Sequence, residues 1–346
     1  MPPILARLLR LLLLALCLAG TRGLSQTPAT PQLTRLEDER PEMGVPFRIV
    51  LYATNAAAAR AASDAAYQRI AQLNDIMSDY EMDSELSKLS HSSGQGRDVP
   101  LSEDLWVVLQ RAQQVSERSD GAFDVTVGPC VLLWRKARRE HKLPNPARLA
   151  EARKSVGYRF VHLNPQKHSA ELLAPDMHLD LGGIAKGYAM DAALKVLSTM
   201  GIKSALVSGG GDMAVSDPPP GKTGWRIELP PLDTTNAPPP RYVYIAHAGL
   251  STSGDLFQRL EIDGKRYSHI VDPRTGIGLT DHSLVTVIAP DALTSDSLTK
   301  VVSVLGPGPG LKFIEETPGV VACVARKPAD TLEVFESKNF NRYYQP

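Results

Sequence analysis

Glycine turns flanked by acidic and basic side chains recur along this chain, and such residues can hold a phosphate. Asp180-Leu-Gly-Gly-Ile-Ala-Lys186-Gly-Tyr-Ala-Met-Asp191 puts two glycines between a short strand and a helix. Backbone amides can then approach an anion at the helix N-terminus. Lys186 falls in the first turn, where its charge adds to those amides. The spacing is neither the Walker pattern nor G-x-G-x-x-G, and a structural turn with a solvated lysine fits it equally. Ser208-Gly-Gly-Gly-Asp212 follows a strand. Each glycine costs roughly 0.5–1 kcal/mol relative to alanine, a cost tolerated where backbone bends sharply or lies against a ligand.

Ser251-Thr-Ser-Gly-Asp255 precedes Tyr267-Ser-His-Ile-Val-Asp-Pro-Arg-Thr-Gly276. Within the second segment His269 is the best single general-base candidate, because imidazole titrates nearest neutrality. Asp272-Pro-Arg-Thr-Gly reads as a turn in which Arg274 either serves a phosphate or braces Asp272. In Ser119-Asp-Gly-Ala-Phe-Asp-Val-Thr-Val-Gly128, Phe123 suits stacking on a planar ring and Asp124 suits accepting from ring edges. A core phenylalanine and a capping aspartate read equally well. Thr294-Ser-Asp-Ser-Leu-Thr-Lys300 starts a helix, with Asp296 and Lys300 four apart and hence on one face.

These segments need a scaffold. Phe47–Ala53 reads as a strand. Asn55 opens a long helix to Met77, its Ala62, Ala66, Ile70 and Leu73 spaced along one face. A second helix is expected over 102–119, where Glu103 and Asp104 favour its N-terminus, and a short one over 147–155. Residues 187–200 and 295–305 also read as helices. Strands are expected at 160–163, 170–173, 205–208, 242–246, 283–288 and 320–325, and proline-rich loops flank Trp225–Leu229. Strands and helices mixed without regular alternation predict an α+β fold, mixed sheets packed with helices, and not a doubly wound sheet.

The 346 residues, 43% hydrophobic, suffice for one large domain or two moderate ones. Lysine plus arginine equals aspartate plus glutamate at 38 each, so no global field favours nucleic acid. Aromatics at 6% argue against a base-stacking surface. Residues 1–26 read as an export signal: Arg7 and Arg10, a short apolar run from Leu11 to Leu18, then small residues. Cys17 admits a lipoprotein, although Leu16 stands where such signals prefer a small residue. Residues 27–42 read as a flexible spacer. Cys130 and Cys323 lie in apolar surroundings, as inert buried thiols or as one disulfide. The absence of Cys-x-x-Cys and of any His/Cys cluster argues against zinc.

Taken together and in order, the motifs resemble the ApbE family of FAD:protein FMN transferases over roughly residues 43–326. They are Met43-Gly44, Met77-Ser-x-Tyr80 with Asp83-Ser-Glu-Leu, Gly121-Ala-Phe-Asp124, Asp180-Leu-Gly-Gly-Ile-Ala-Lys-Gly-Tyr, Gly-Gly-Asp212, Ser251-Thr-Ser-Gly-Asp and Tyr-Ser-His-Ile-Val-Asp-Pro-Arg-Thr-Gly. The resemblance implies a T-fold-related architecture over 43–340, and flavin held by Met43, Tyr80, Ala122, Phe123, Asp124, Asp180, Lys186 and the backbone near Ile270. It implies magnesium bound by the carbonyl of Gly183, by Asp296 and by a threonine one helical turn later. Lys300 occupies that threonine position, and Val45 replaces the threonine usual after Met-Gly.

The implied reaction is attack of an acceptor threonine on the FMN-side phosphorus of FAD, with AMP expelled and His269 or Asp272 assisting deprotonation. Such chemistry needs in-line placement and cancellation of phosphate charge. A protonated lysine has no lone pair to ligate a cation. Three arrangements stay open: Thr299 substitutes after a local shift, Asp296 and Gly183 hold a weaker hydrated ion, or Lys300 takes the cation's place. FAD hydrolysis to FMN and AMP, and a non-catalytic exported flavin binder, are the alternatives to transfer. The acceptor expected from the resemblance is a membrane-associated redox subunit facing the periplasm or inner-membrane surface.

Overall fold

The computed structural model describes residues 33–233, 239–254, 259–328 and 331–345. The expected leader, Cys17, the first part of the expected spacer and Asp255 lie outside the described residues. From Leu33 onward the chain clusters into one compact unit. No helix among the described residues is long and apolar enough to cross a membrane.

Hydrophobic alternation builds the central layer. Among the described residues it is an eight-stranded sheet whose strands follow one another in chain order: β1 (Thr34–Glu42), β2 (Val45–Ala53), β3 (Ala205–Gly209), β4 (Asp212–Val215), β5 (Ala248–Gly254), β6 (Ser283–Ala289), β7 (Val321–Arg326) and β8 (Glu333–Glu336). Each neighbouring pair is antiparallel. In β2, Phe47, Ile49 and Leu51 point to a core shared with helices, whereas Val50 points to a second core. That is the period-2 pattern of a strand covered on both faces. A ribbon pairing Trp225–Leu229 with Arg241–Ile245 covers the second face, together with Phe340.

Five helices matter for the site: α1 (Ala56–Met77), α2 (Glu103–Arg118), α3 (Gly128–Glu140), α4 (Ala185–Thr199) and α5 (Ala292–Leu305). Asn55 caps α1 by accepting from the Ala58 N–H at 2.8 Å. Ala59, Ala62, Ala66, Ile70 and Leu73 bury one stripe of α1 against the sheet and α4. The α4–α5–β5 contact is unusually close. A Cβ on Gly187 would lie 2.1 Å from the Ala292 carbonyl oxygen, and one on Gly249 would lie 2.4 Å from the Ala292 Cα. Only glycine at both places lets α5 start there, and α5 carries Asp296 and Lys300.

The expected α+β class is what the chain adopts. The spacer expectation needs correction over 34–42, which pair with β2 through a complete nine-residue register. Charged residues that read as solvated linker fill both the exposed row (Arg35, Glu37, Glu39) and the half-buried row (Asp38, Arg40, Glu42) of an edge strand, where charge deters edge-to-edge association. Cys130 and Cys323 are free and buried, and burial pushes both thiols up to about 11. They are inert packing groups.

Candidate active site

One cleft of about 1320 Å³ gathers residues from across the chain. Met43, Tyr80, Ala122, Phe123, Asp124, Asp180, Gly183, Lys186, His269, Ile270 and Lys300 all line it. It is larger than the roughly 300–1,000 Å³ of ordinary small-molecule pockets. Asp296 lies directly beneath, with no exposed surface, joined to the floor through Lys300 and Lys186.

Local chain geometry explains each placement. Met43 and Gly44 have φ of 48° and 76°, the tight turn that closes the β1–β2 hairpin at the rim. Gly210 and Gly211 do the same between β3 and β4, with φ of 62° and 93°. That turn delivers Asp212 to the floor. Phe123 is buried yet borders the cleft, on the turn after α2. Tyr80 is 73% exposed, its ring centroid 4.4 Å from the Arg135 guanidinium.

Two charged clusters face the space. On the floor, Lys186 Nζ lies 3.1 Å from Asp212 Oδ2 and 3.7 Å from Asp296 Oδ2, and it donates to the Gly182 carbonyl at 3.2 Å. Lys300 Nζ donates to Asp296 Oδ1 at 2.7 Å and to Thr299 Oγ1 at 3.0 Å. Burial alone would raise the Asp296 carboxyl, but Lys186 and Lys300 outweigh it and hold it below the usual range. Burial and the neighbouring Asp296 charge push Asp212 up, with the lysines opposing. On the wall, Arg135 bridges Asp79 and Asp180, the latter at 2.8 Å, while Asp180 also accepts from the Gly182 N–H at 2.8 Å. Burial and the charge of Asp79 push Asp180 up, with Arg135 opposing.

Two candidates take other roles. Asp272 does not line the cleft: its carboxylate accepts from the Arg274 N–H at 2.9 Å and Nε at 3.0 Å, holding the Asp-Pro-Arg-Thr-Gly turn. Trp134 clamps the same turn by donating to the Gly276 carbonyl at 2.8 Å. Asp272 therefore holds the turn that follows the segment carrying His269. Asp124 borders the cleft, but its carboxylate accepts from Thr126 N–H and Oγ1–H and from the Tyr158 N–H at 2.7 Å. Those bonds use the carboxylate as a cap at the border of the cleft.

Sequence reasoning overlooked Asp212, Arg135 and Arg138 as site residues. Asp212 was legible as the end of a glycine run. The two arginines stand three apart on α3, so one helix face carries both into the cleft.

Comparison with known proteins gives this geometry its relatives. Residues 43–325 match the ApbE family. The chain belongs to the ApbE family. It is 32% identical over 260 residues to the FAD:protein FMN transferase of Haemophilus influenzae, covering 73% of this chain and 75% of that one. Against the FAD:protein FMN transferase of Klebsiella pneumoniae it is 30% identical over 324 residues, covering 92% and 91%. The solved flavin transferase ApbE from Vibrio cholerae superposes with a TM-score of 0.81 at 26% identity, over 90% of this chain and 99% of that one.

The magnesium site implied by the ApbE resemblance does not fit the residues present. Both oxygens of Asp296 are engaged, Oδ1 by Lys300 and Oδ2 by the Gly187 N–H at 3.2 Å. The Thr299 hydroxyl donates back to the Asp296 carbonyl at 2.7 Å and is fully buried. An ammonium stands where an oxygen ligand would be needed.

Proposed function

We propose that this chain is an FAD:protein FMN transferase, moving FMN from FAD to a threonine hydroxyl of an acceptor protein. The observation that carries the reading is a single oversized cleft with two lysines on its floor, aromatic groups at its border and His269 on its wall. Family membership and relatives bearing that name support it.

In this reading Lys186 and Lys300 oppose the diphosphate charge, which grows on the bridging oxygen as AMP departs. His269 takes the threonine Oγ–H proton. The Oγ–P bond forms at the FMN phosphorus, the P–O bond to AMP breaks, and AMP leaves with the electron pair. Phe123 and Tyr80 offer apolar faces to a planar ring. The leader-like residues 1–26, with Cys17, support an exported or lipid-anchored enzyme whose acceptor is a redox subunit at the same membrane face.

The test is incubation of purified protein with FAD and a synthetic threonine peptide, read by mass spectrometry and AMP assay. Peptide gaining one FMN with stoichiometric AMP is expected. His269→Asn should slow labelling about 10²–10⁴-fold while FAD still binds. AMP without labelled peptide would mean hydrolysis instead.

A further inference from the structure

Lys300 is packed into the floor as a fixture. Its stem crosses the Gly183 backbone so closely that a Cβ there would lie 3.3 Å from Lys300 Cγ and 3.4 Å from Cε. An ammonium has three N–H donors. Two are spent on Asp296 Oδ1 and Thr299 Oγ1, leaving one on a group that borders the cleft. Lys186 is arranged alike, with Asp212 and the Gly182 carbonyl taking two donors. The two lysines are thus already paired with the buried carboxylates Asp212 and Asp296 before any ligand arrives. A divalent ion entering it would have to displace Lys300 from a wholly buried carboxylate.

We infer that the Lys300 ammonium does permanently what a bound divalent cation would do, so that this chain grips the FAD diphosphate without magnesium. The inference rests on the reading of FAD as substrate. The exchange is chemically specific: one fixed positive charge with a directed donor replaces an ion that would bring two charges and oriented oxygen ligation. The chain gives up that ligation and gains a site independent of ion supply.

Binding measurements test this without requiring transfer. Mn2+ is titrated into the FAD-loaded full chain and followed by electron paramagnetic resonance, and FAD affinity is measured by flavin fluorescence in EDTA and in millimolar Mg2+. The wild type should bind no Mn2+ beyond that taken by free FAD, and its FAD affinity should change less than about twofold with Mg2+. Lys300→Thr should gain one Mn2+ per chain and an FAD affinity that depends on Mg2+. Lys300→Met keeps the stem and removes the charge. It should keep its circular dichroism spectrum and bind FAD about 10- to 100-fold more weakly in EDTA. Stoichiometric Mn2+ on the wild type, lost in Asp296→Asn, would overturn the inference, as would unaltered FAD affinity in folded Lys300→Met. An FAD-binding chain that never labels a threonine would sink the transferase reading and leave these ion measurements intact.

Discussion

Lys186 is the side chain on which the floor's electrostatics converge. Burial works against its charge, yet Asp212 and Asp296 outweigh burial and hold it protonated well above the ordinary lysine range. Removing it would leave two buried carboxylates sharing Lys300. Lys186→Met should therefore destabilise the fold by about 3–5 kcal/mol, the usual cost of stranding a buried charge, and weaken FAD binding at least roughly tenfold. Adding Asp212→Asn should recover most of the stability but none of the affinity. Urea midpoints and flavin fluorescence titrations on the single and double variants check this. Affinity returning along with stability would show that Lys186 acts through packing alone. Residue type revealed Lys186 in the sequence because glycines frame it. It could not reveal that Asp124 spends its carboxylate on three donors, since Thr126 is near in sequence but Tyr158 is brought in by folding.

At the scale of elements, the start of α5 sets where Asp296 and Lys300 stand, and Asp191 on α4 fixes that start. Its carboxylate accepts from the Ala292 and Leu293 N–H groups, both at 2.9 Å. Burial nonetheless raises it from 3.8 to about 6, with the two amides opposing. A carboxyl raised on folding binds protons more tightly in the native state, so its contribution to stability is lost as pH rises from about 3.8 through about 6. The stability difference between wild type and Asp191→Asn should shift against wild type by about 2 kcal/mol between pH 4 and pH 7. Denaturant unfolding at the two pH values measures it, and an unchanged difference would refute the raised titration. Elements with apolar periodicity and caps, such as α1 behind Asn55, were legible from sequence. β1 was not, because its half-buried and exposed positions alternate through charged residues instead of apolar ones. α3 was hidden by its Gly128-Pro129 start, although proline in the first turn suits a helix beginning.

At the scale of the molecule, the cleft is a product of chain return. Met43 comes from the first hairpin, Arg135 from an inserted helix, Lys186 from α4, His269 from the loop before β6 and Lys300 from α5. No window of sequence holds these together; only the ordered sheet and the close α4–α5 packing do. A ligand spanning the cleft should then clamp elements distant in sequence and stabilise the whole cooperative unit. FAD at 100 times its dissociation constant should add about 2.7 kcal/mol, or roughly 4 °C in melting temperature for a unit of about 300 residues. FMN and AMP, each at that same absolute concentration, should together give a smaller shift, because neither alone joins the aromatic border to the lysine floor. Thermal melts by far-ultraviolet circular dichroism with each ligand check this. A full shift from FMN alone would place the diphosphate outside the floor and detach Lys186 and Lys300 from the chemistry assigned to them.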